Sequence, residues 1–184
     1  MKVPLRYQIT ENDSGKTTLL NTISYLFERE EVDDVLLKNI YKHSINKDDI
    51  FKEQETTCAI AKKLFNKKKY KLNLVHLKAE ETNLKSIKEN MKADNSCMIV
   101  HIYLNGKSHY SLVTSIDNNY VYLFDSYYLD DIYFDEERMV ELLFDNPFTY
   151  NRKINLKRFN SLTLNDFALG PVDHRECLII QKID

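Results

Sequence analysis

The sequence predicts an α+β fold in which N-terminal helices pack on an antiparallel β-sheet. Two observations support this prediction. The first third of the chain has apolar residues at helical spacing, whereas the second half has short β-branched and aromatic stretches separated by turn signals. With 184 residues, 43% of them hydrophobic, the chain is expected to form one domain, residues 1–184, with a sizeable core.

The composition narrows the class of protein. A net charge of −2 provides no overall attraction to nucleic acid or to an anionic membrane. The apolar runs are too short to span a bilayer, and the first residues lack the apolar core of a signal peptide. We therefore expect a cytoplasmic protein with no nucleic-acid partner and no membrane insertion, and the oligomeric state stays open.

The cysteines indicate reduced thiols. Cys58, Cys97 and Cys177 are odd in number, widely spaced and set in apolar stretches, as expected of free cysteines in a reducing compartment. His174 and Cys177 are close in sequence, but no second pair has the spacing of metal ligands. We therefore expect neither a metal site nor a cofactor.

Helices are predicted mainly before the sheet. The first covers residues 14–28, where apolar side chains recur on one helical face. Asp13 and Ser14 are favourable N-cap residues for it. Four further helices are predicted over residues 33–43, 48–65, 82–93 and 136–144.

Strands are predicted from the second third of the chain onward. Residues 97–104, 108–116 and 120–125 are rich in β-branched and aromatic side chains. Asn105-Gly106 and Asp117-Asn118-Asn119 separate them as turns. Further strands are predicted over residues 70–77, 151–158 and 176–183.

A candidate nucleophile position lies at the start of the first helix. Taken alone, Ser14 is an ordinary N-cap residue. However, the N–H groups of a first helical turn lower the pKa of a thiol and can stabilise an oxyanion. Gly15 would let a substrate backbone approach closely. The side-chain amide of Gln8, six residues upstream, could donate a second hydrogen bond to an oxyanion.

His109 and Asp125 are predicted to meet across a hairpin. With a three-residue loop at 117–119, Ser111 faces Asp125, and His109 is a diagonal neighbour on the same face, within reach of the carboxylate. With a two-residue loop, Asp125 would face Leu112 and point away from His109. We therefore predict the odd-length loop.

These residues resemble cysteine peptidase family 39, the bacteriocin-processing or double-glycine leader peptidases, whose fold is papain-like. The motif of that family is Gln, five residues and then Cys-Gly at a helix start, followed later by His and Asp. Gln8 and Ser14-Gly15 match the first spacing. Residues 108–113 and 120–125 resemble the His and Asp segments, and the resemblance extends over the whole chain.

The resemblance implies a stand-alone papain-like peptidase that removes leader peptides from ribosomally made precursors. It implies a role for each matching residue: Gln8 is the oxyanion donor, Ser14 the nucleophile position, His109 the general base and Asp125 the group that orients the base. The substrate implied is a precursor or leader peptide, cleaved after a Gly-Gly sequence.

Ser14 stands where the family has Cys. A papain-like site holds Cys and His as a thiolate–imidazolium pair, and a serine hydroxyl is too weakly acidic to ionise there. Three interpretations follow, in our order of preference: an engineered inactive variant of the peptidase, a natural peptide-binding pseudopeptidase, and a true serine enzyme.

A nucleotide site is an alternative interpretation of the same segment. Ser14-Gly15-Lys16-Thr17 contains the Gly-Lys-Thr end of a P-loop, and a helix is predicted to follow. Thr10 stands where the motif requires Gly, and the acidic Glu11 and Asp13 would repel phosphate. These departures disfavour the nucleotide site.

Aromatic residues follow Asp125 closely. We hypothesise that Tyr127, Tyr128, Tyr133 and Phe134 wall the substrate groove, because narrow aromatic walls would suit the Gly-Gly sequence that the resemblance implies. Gly15 is included in the same substrate-binding surface. Core packing is the alternative role for each aromatic ring.

Overall fold

The chain folds into helices and one antiparallel sheet, which confirms the predicted α+β class. A computed structural model describes residues 1–45, 55–92, 95–130, 133 and 135–183. The helices are α1 (Ser14–Leu26), α2 (Asp34–Ile45), α3 (Thr57–Phe65), α4 (Leu84–Asn90) and α5 (Leu156–Phe159). The strands are β1 (Leu72–Lys78), β2 (Ser96–Leu104), β3 (Lys107–Ile116), β4 (Tyr120–Phe124), β5 (Val140–Leu142), β6 (Arg152–Asn155) and β7 (Glu176–Lys182).

The sheet separates two apolar cores. Its strand order is β1-β7-β2-β3-β4-β6-β5, and each neighbouring pair is antiparallel. Helices α1, α2 and α3 pack on one face, against side chains such as Ile99 and Leu112. On the other face, Ile87 of α4 and Phe159 of α5 pack against side chains such as Ile102. The central strands are therefore buried on both sides.

One predicted helix is wrong. Residues 136–144 contain β5 instead, where the partly buried Val140 and Leu142 alternate with the exposed Glu141 alongside β6. The Asp135 carboxylate accepts hydrogen bonds from the backbone N–H groups of Met139 and Val140, where β5 begins. The segment is therefore a turn followed by a short strand, with the period-two alternation that a strand requires.

Other predicted elements differ in length, among them the helix predicted over 82–93, which is α4 (Leu84–Asn90). The strand predicted over 151–158 ends at Asn155, whose side chain accepts from the Lys157 N–H and caps α5. The helix predicted over 48–65 is described only from Thr57, because residues 46–54 lie outside the described residues. None of the helices in the described ranges is both long and apolar enough to cross a membrane.

The segment that precedes α1 is fixed next to the end of β4. The Gln8 N–H donates to the Ser126 carbonyl over 2.8 Å. The buried Asn21 side chain bonds both backbone groups of Arg6, at 2.9 and 3.0 Å. These contacts bring the loop before α1 beside the residue that follows β4, which is Asp125.

The three cysteines are free and buried, as predicted. Burial raises the pKa of the Cys58 and Cys97 thiols well above the ordinary value, and it raises the pKa of Cys177 to about 12. All three thiols are therefore poorly reactive at neutral pH.

Candidate active site

His109 and Asp125 form a buried pair at the end of two adjacent strands. The Nε2–H of His109 donates to Asp125 Oδ2 over 2.8 Å, and the two side chains are 6% and 0% exposed. His109 lies in β3, and Asp125 directly follows β4. The predicted proximity of the two side chains is confirmed.

The register that brings His109 and Asp125 together depends on a β-bulge in β3. Residues 117–119 separate β3 from β4, as predicted, but Ile116 pairs with Val121 rather than with Tyr120, so the predicted pairing next to the loop is wrong. A β-bulge then places one extra residue, Thr114, in β3, so that Leu112 pairs with Phe124. The extra residue restores, near the site, the alignment that pairing of Ile116 with Tyr120 would have produced.

The Asp125 carboxylate is surrounded by groups that favour its ionised form. The Ser111 hydroxyl donates to Oδ2, and the Tyr127 N–H donates to Oδ1 over 2.8 Å. Burial alone raises the pKa of Asp125, but the charge and hydrogen bond of His109, the hydrogen bond of Ser111 and the charge of Arg152 outweigh it. The pKa is thereby held below its ordinary value, so the carboxylate is ionised at neutral pH and can orient the imidazole.

Arg152 is a fully buried cation in this environment. Its guanidinium donates to the carbonyls of Asn151 and Tyr127 at 2.8 and 3.1 Å, while Nε has no hydrogen-bond partner among the described residues. Burial lowers the pKa of Arg152, and the charge of Asp125 opposes this effect. The buried charges of Arg152 and Asp125 therefore stabilise each other.

The start of α1 leaves backbone donors without intrahelical partners. Ser14 is the first residue of the helix and is 8% exposed. Asp13 is the N-cap residue, but its side chain makes no capping hydrogen bond. The first intrahelical bond runs from the Thr17 N–H to the Asp13 carbonyl. The N–H groups of the first turn can therefore donate to an anion and stabilise its negative charge.

Helix α1 runs along β3 in the same direction. The Thr18 hydroxyl donates to the Tyr110 carbonyl over 2.9 Å, and the Tyr25 hydroxyl donates to the Thr114 carbonyl over 3.4 Å. The first residue of the helix precedes Thr18 by one turn, or about 6 Å at a rise of about 1.5 Å per residue. The start of α1 therefore lies beside the beginning of β3.

Ser14 and His109 lie near the beginning of β3 on different sides of the sheet. Alternation along β3 directs His109 to the same face as Ile102, its partner on β2, whereas α1 packs on the opposite face. The carbonyl of Tyr110 lies in the plane of the sheet, in the part of β3 that comes before its first residue paired with β4, Leu112. The first turn of α1 reaches this edge, and within the described residues no hydrogen bond joins Ser14 to His109.

Gln8 connects the two halves of the site. Its Nε2 donates to the carbonyls of Thr10 and Glu11 at 2.9 and 3.2 Å, and its Oε1 accepts from the Ser126 hydroxyl at 2.7 Å. Both amide hydrogens are thus used by the loop before α1. One of these bonds must be exchanged before Gln8 can donate to an oxyanion, so that role stays a prediction.

Gly15 is required by packing between two helices. A Cβ atom at this position would overlap Oγ1 of Thr57, the first residue of α3. The side of Gly15 on which a side chain would lie is therefore filled by the protein. Its predicted contact with a substrate backbone stays a prediction.

The aromatic residues after Asp125 do not form one wall. Tyr128 is 59% exposed and packs edge to face with Tyr7, whereas Tyr127 packs on the apolar core of the other face. The Tyr133 hydroxyl donates to Asp166 over 3.3 Å. Phe134 lies outside the described residues. Among Tyr127, Tyr128 and Tyr133, the described members of this group, only Tyr128 is both exposed and next to the loop that precedes α1.

The segment around Lys16 does not have the surroundings of a P-loop. Lys16 Nζ lies 5.1 Å from the centre of the Tyr41 ring, and residues 4–10 contain no strand to carry a P-loop. Within the described ranges, no group of three or more His, Cys, Asp or Glu side chains could hold a metal ion.

Two further residues belong to the site although no sequence motif indicates them. Asn151 and Arg152 come 26 and 27 residues after Asp125 and reach it only because β6 pairs with β4. No spacing rule connects them in the sequence. Ser111 could have been recognised, because the predicted register already placed it opposite Asp125.

No protein-family model matches the chain, and no curated protein sequence matches it. The chemistry of the site must therefore be argued from its geometry. A buried imidazole held by an ionised carboxylate, beside the start of a helix, can take a proton from a nucleophile and return it to a leaving group.

Proposed function

We propose that this chain is a papain-like peptidase that cleaves leader peptides from ribosomally made precursors, with Ser14 at the position of the nucleophile. The observation that carries the proposal is the buried hydrogen bond between His109 and Asp125. In support, the start of α1 lies at the beginning of the strand that carries His109. The leader-peptide substrate is taken from the resemblance to the double-glycine peptidases.

In the active form, a Cys at position 14 would be the nucleophile. His109 contacts Asp125 through Nε2, which leaves Nδ1 to take the thiol proton. The thiolate would attack the scissile carbonyl, and the N–H groups of the first turn of α1 would stabilise the oxyanion. His109 would then return the proton to the leaving amine, and water would hydrolyse the acyl-enzyme.

Ser14 changes the energetics of the first step. A hydroxyl does not form a stable ion pair with imidazole at neutral pH, so proton removal must accompany the attack. In a catalytic unit that acts together, loss of the nucleophile can lower turnover by about 10⁶. We therefore expect little or no cleavage by the chain as it stands.

A non-catalytic module that binds leader peptides is the second candidate. The observation that favours it is Gln8, whose two amide hydrogens are both bound to loop carbonyls rather than free to stabilise an oxyanion. Together with Ser14, this would make a site that holds a peptide without cutting it.

The first test is the alkylation rate of Ser14→Cys with iodoacetamide between pH 5 and 9. The proposal predicts fast labelling below pH 7, because an imidazolium at His109 would stabilise the thiolate. The parent protein should give a low background, since Cys58, Cys97 and Cys177 are buried.

Two histidine variants serve as controls in this test. His109→Ala should abolish the labelling below pH 7. His101→Ala should preserve it, because His101 is also buried but bonds Ser108 rather than Asp125. Labelling that rises only near the pKa of a free thiol, about 8.5, would contradict the proposal.

A further inference from the structure

We infer that Ser111 and Asn151 are positioning residues that hold Asp125, and through it His109, in the geometry needed for proton transfer. This inference rests on the proposed function. Neither side chain would touch the substrate, and both would act through Asp125. Each of them fixes a different part of that residue.

Ser111 fixes the carboxylate. It is completely buried, and its hydroxyl donates to Oδ2, the same oxygen that accepts from His109. The Tyr127 N–H donates a hydrogen bond to Oδ1, the other oxygen of the carboxylate. With donors on both oxygens, the carboxylate plane cannot rotate away from the imidazole without breaking a buried hydrogen bond.

Asn151 fixes the backbone of Asp125. Its Oδ1 accepts from the Asp125 N–H at 2.7 Å, and its Nδ2 donates to the Asp125 carbonyl at 2.8 Å. Asn151 is 3% exposed, and its own N–H donates to the Leu123 carbonyl at 3.0 Å. The side chain therefore forms the two bonds that a neighbouring strand would otherwise provide.

Such a clamp is needed at this position. The pairing between β3 and β4 stops at Leu112 and Phe124, so Asp125 is the first residue that the ladder no longer holds. A residue beyond the end of a ladder is normally free to change its backbone angles. A displacement of about 1 Å in a catalytic group can lower a rate by about 10²-fold.

The chain contains a matched control for Asn151. The half-buried Asn83 forms the same kind of clamp before α4: its Oδ1 accepts from the Ser86 N–H at 3.0 Å, and its Nδ2 donates to the Glu80 carbonyl at 2.8 Å. Replacing either asparagine with alanine removes one backbone clamp. Only the clamp of Asn151 holds Asp125, so Asn83→Ala should leave the reactivity of position 14 unchanged.

The test uses the pH dependence of iodoacetamide labelling in the Ser14→Cys protein, with folding followed by circular dichroism. Asn151→Ala and Ser111→Ala should lower the labelling rate at pH 6 at least about tenfold. Asn83→Ala should leave this rate within about twofold. Ser111→Thr should retain the rate, because it keeps the hydroxyl.

The outcomes separate this inference from the proposed function. If Ser14→Cys shows no labelling below pH 7 that depends on His109, the proposed function fails and this inference fails with it. If that labelling is present and Ser111→Ala retains it, only the inference is overturned. The same holds if Asn83→Ala lowers the rate as much as Asn151→Ala, since the effect would then come from lost stability alone.

Discussion

At the scale of single residues, the site depends on the charge of Asp125. Its pKa is lower in the folded protein than in the unfolded chain, because the opposing effect of burial is outweighed by His109, Ser111 and Arg152. The ionised carboxylate therefore contributes to stability above the pKa of an unfolded Asp, about 3.9. That contribution is lost as the pH falls through the pKa of the folded state.

Asp125→Asn should destabilise the protein more at pH 7 than at pH 3. At pH 7 the substitution removes a paired buried charge and leaves Arg152 without its nearby carboxylate, whereas at pH 3 the carboxylate is closer to its neutral form. Urea unfolding at the two pH values measures the difference. Asp173→Asn is the surface control, since Asp173 has an 80% exposed side chain. Equal destabilisation by Asp125→Asn at both pH values would contradict the pKa assignment.

The contact between His109 and Asp125 could be predicted at this scale, because period-two alternation relates residues on adjacent strands. The residues that surround the pair could not be predicted from the sequence. Arg152 is the first residue of β6, and Asn151 precedes it. The distance of both residues from Asp125 depends on which strand pairs with β4. Local sequence patterns contain no information about that choice.

At the scale of the elements, the contact between α1 and α3 explains a glycine. Gly15→Ala should destabilise the protein by about 1–3 kcal/mol, because a Cβ would overlap Thr57 Oγ1. Without that contact, Ala in a helix is favoured over Gly by up to about 1 kcal/mol. In a Thr57→Ala background, Gly15→Ala should therefore be neutral or stabilising.

Urea unfolding of the two single variants and the double variant measures this coupling. The explanation requires a clear difference between the two backgrounds. If Gly15→Ala costs the same in the parent chain as in the Thr57→Ala background, packing against α3 is not the reason for Gly15.

The elements themselves were predicted unevenly. The sequence predicts α1 well, because its apolar stripe is long and regular. The helix ends at Leu26 rather than at residue 28. The segment 136–144 was predicted as a helix because its apolar and charged residues are mixed over a short length. Its strand of three residues is stabilised by pairing with β6, a contact that the local pattern does not reveal.

At the scale of the whole molecule, the order of the strands creates the site. β7 lies between β1 and β2, and β6 lies between β4 and β5, so the last parts of the chain complete a sheet that begins near its middle. The face covered by α1 and the face that carries His109 meet where β4 stops. The site is therefore at a boundary between the two cores, and pairings of this range cannot be read from local periodicity.

The central claim is that His109 and Asp125 serve a nucleophile at position 14 in peptide cleavage. The most direct measurement incubates a synthetic leader peptide that contains Gly-Gly with Ser14→Cys and follows the products by mass spectrometry. We predict cleavage after Gly-Gly by Ser14→Cys, with rates at least about 10³-fold lower for the parent chain and for Ser14→Cys/His109→Ala. An intact peptide with Ser14→Cys, or equal cleavage by the His109→Ala form, would contradict the account.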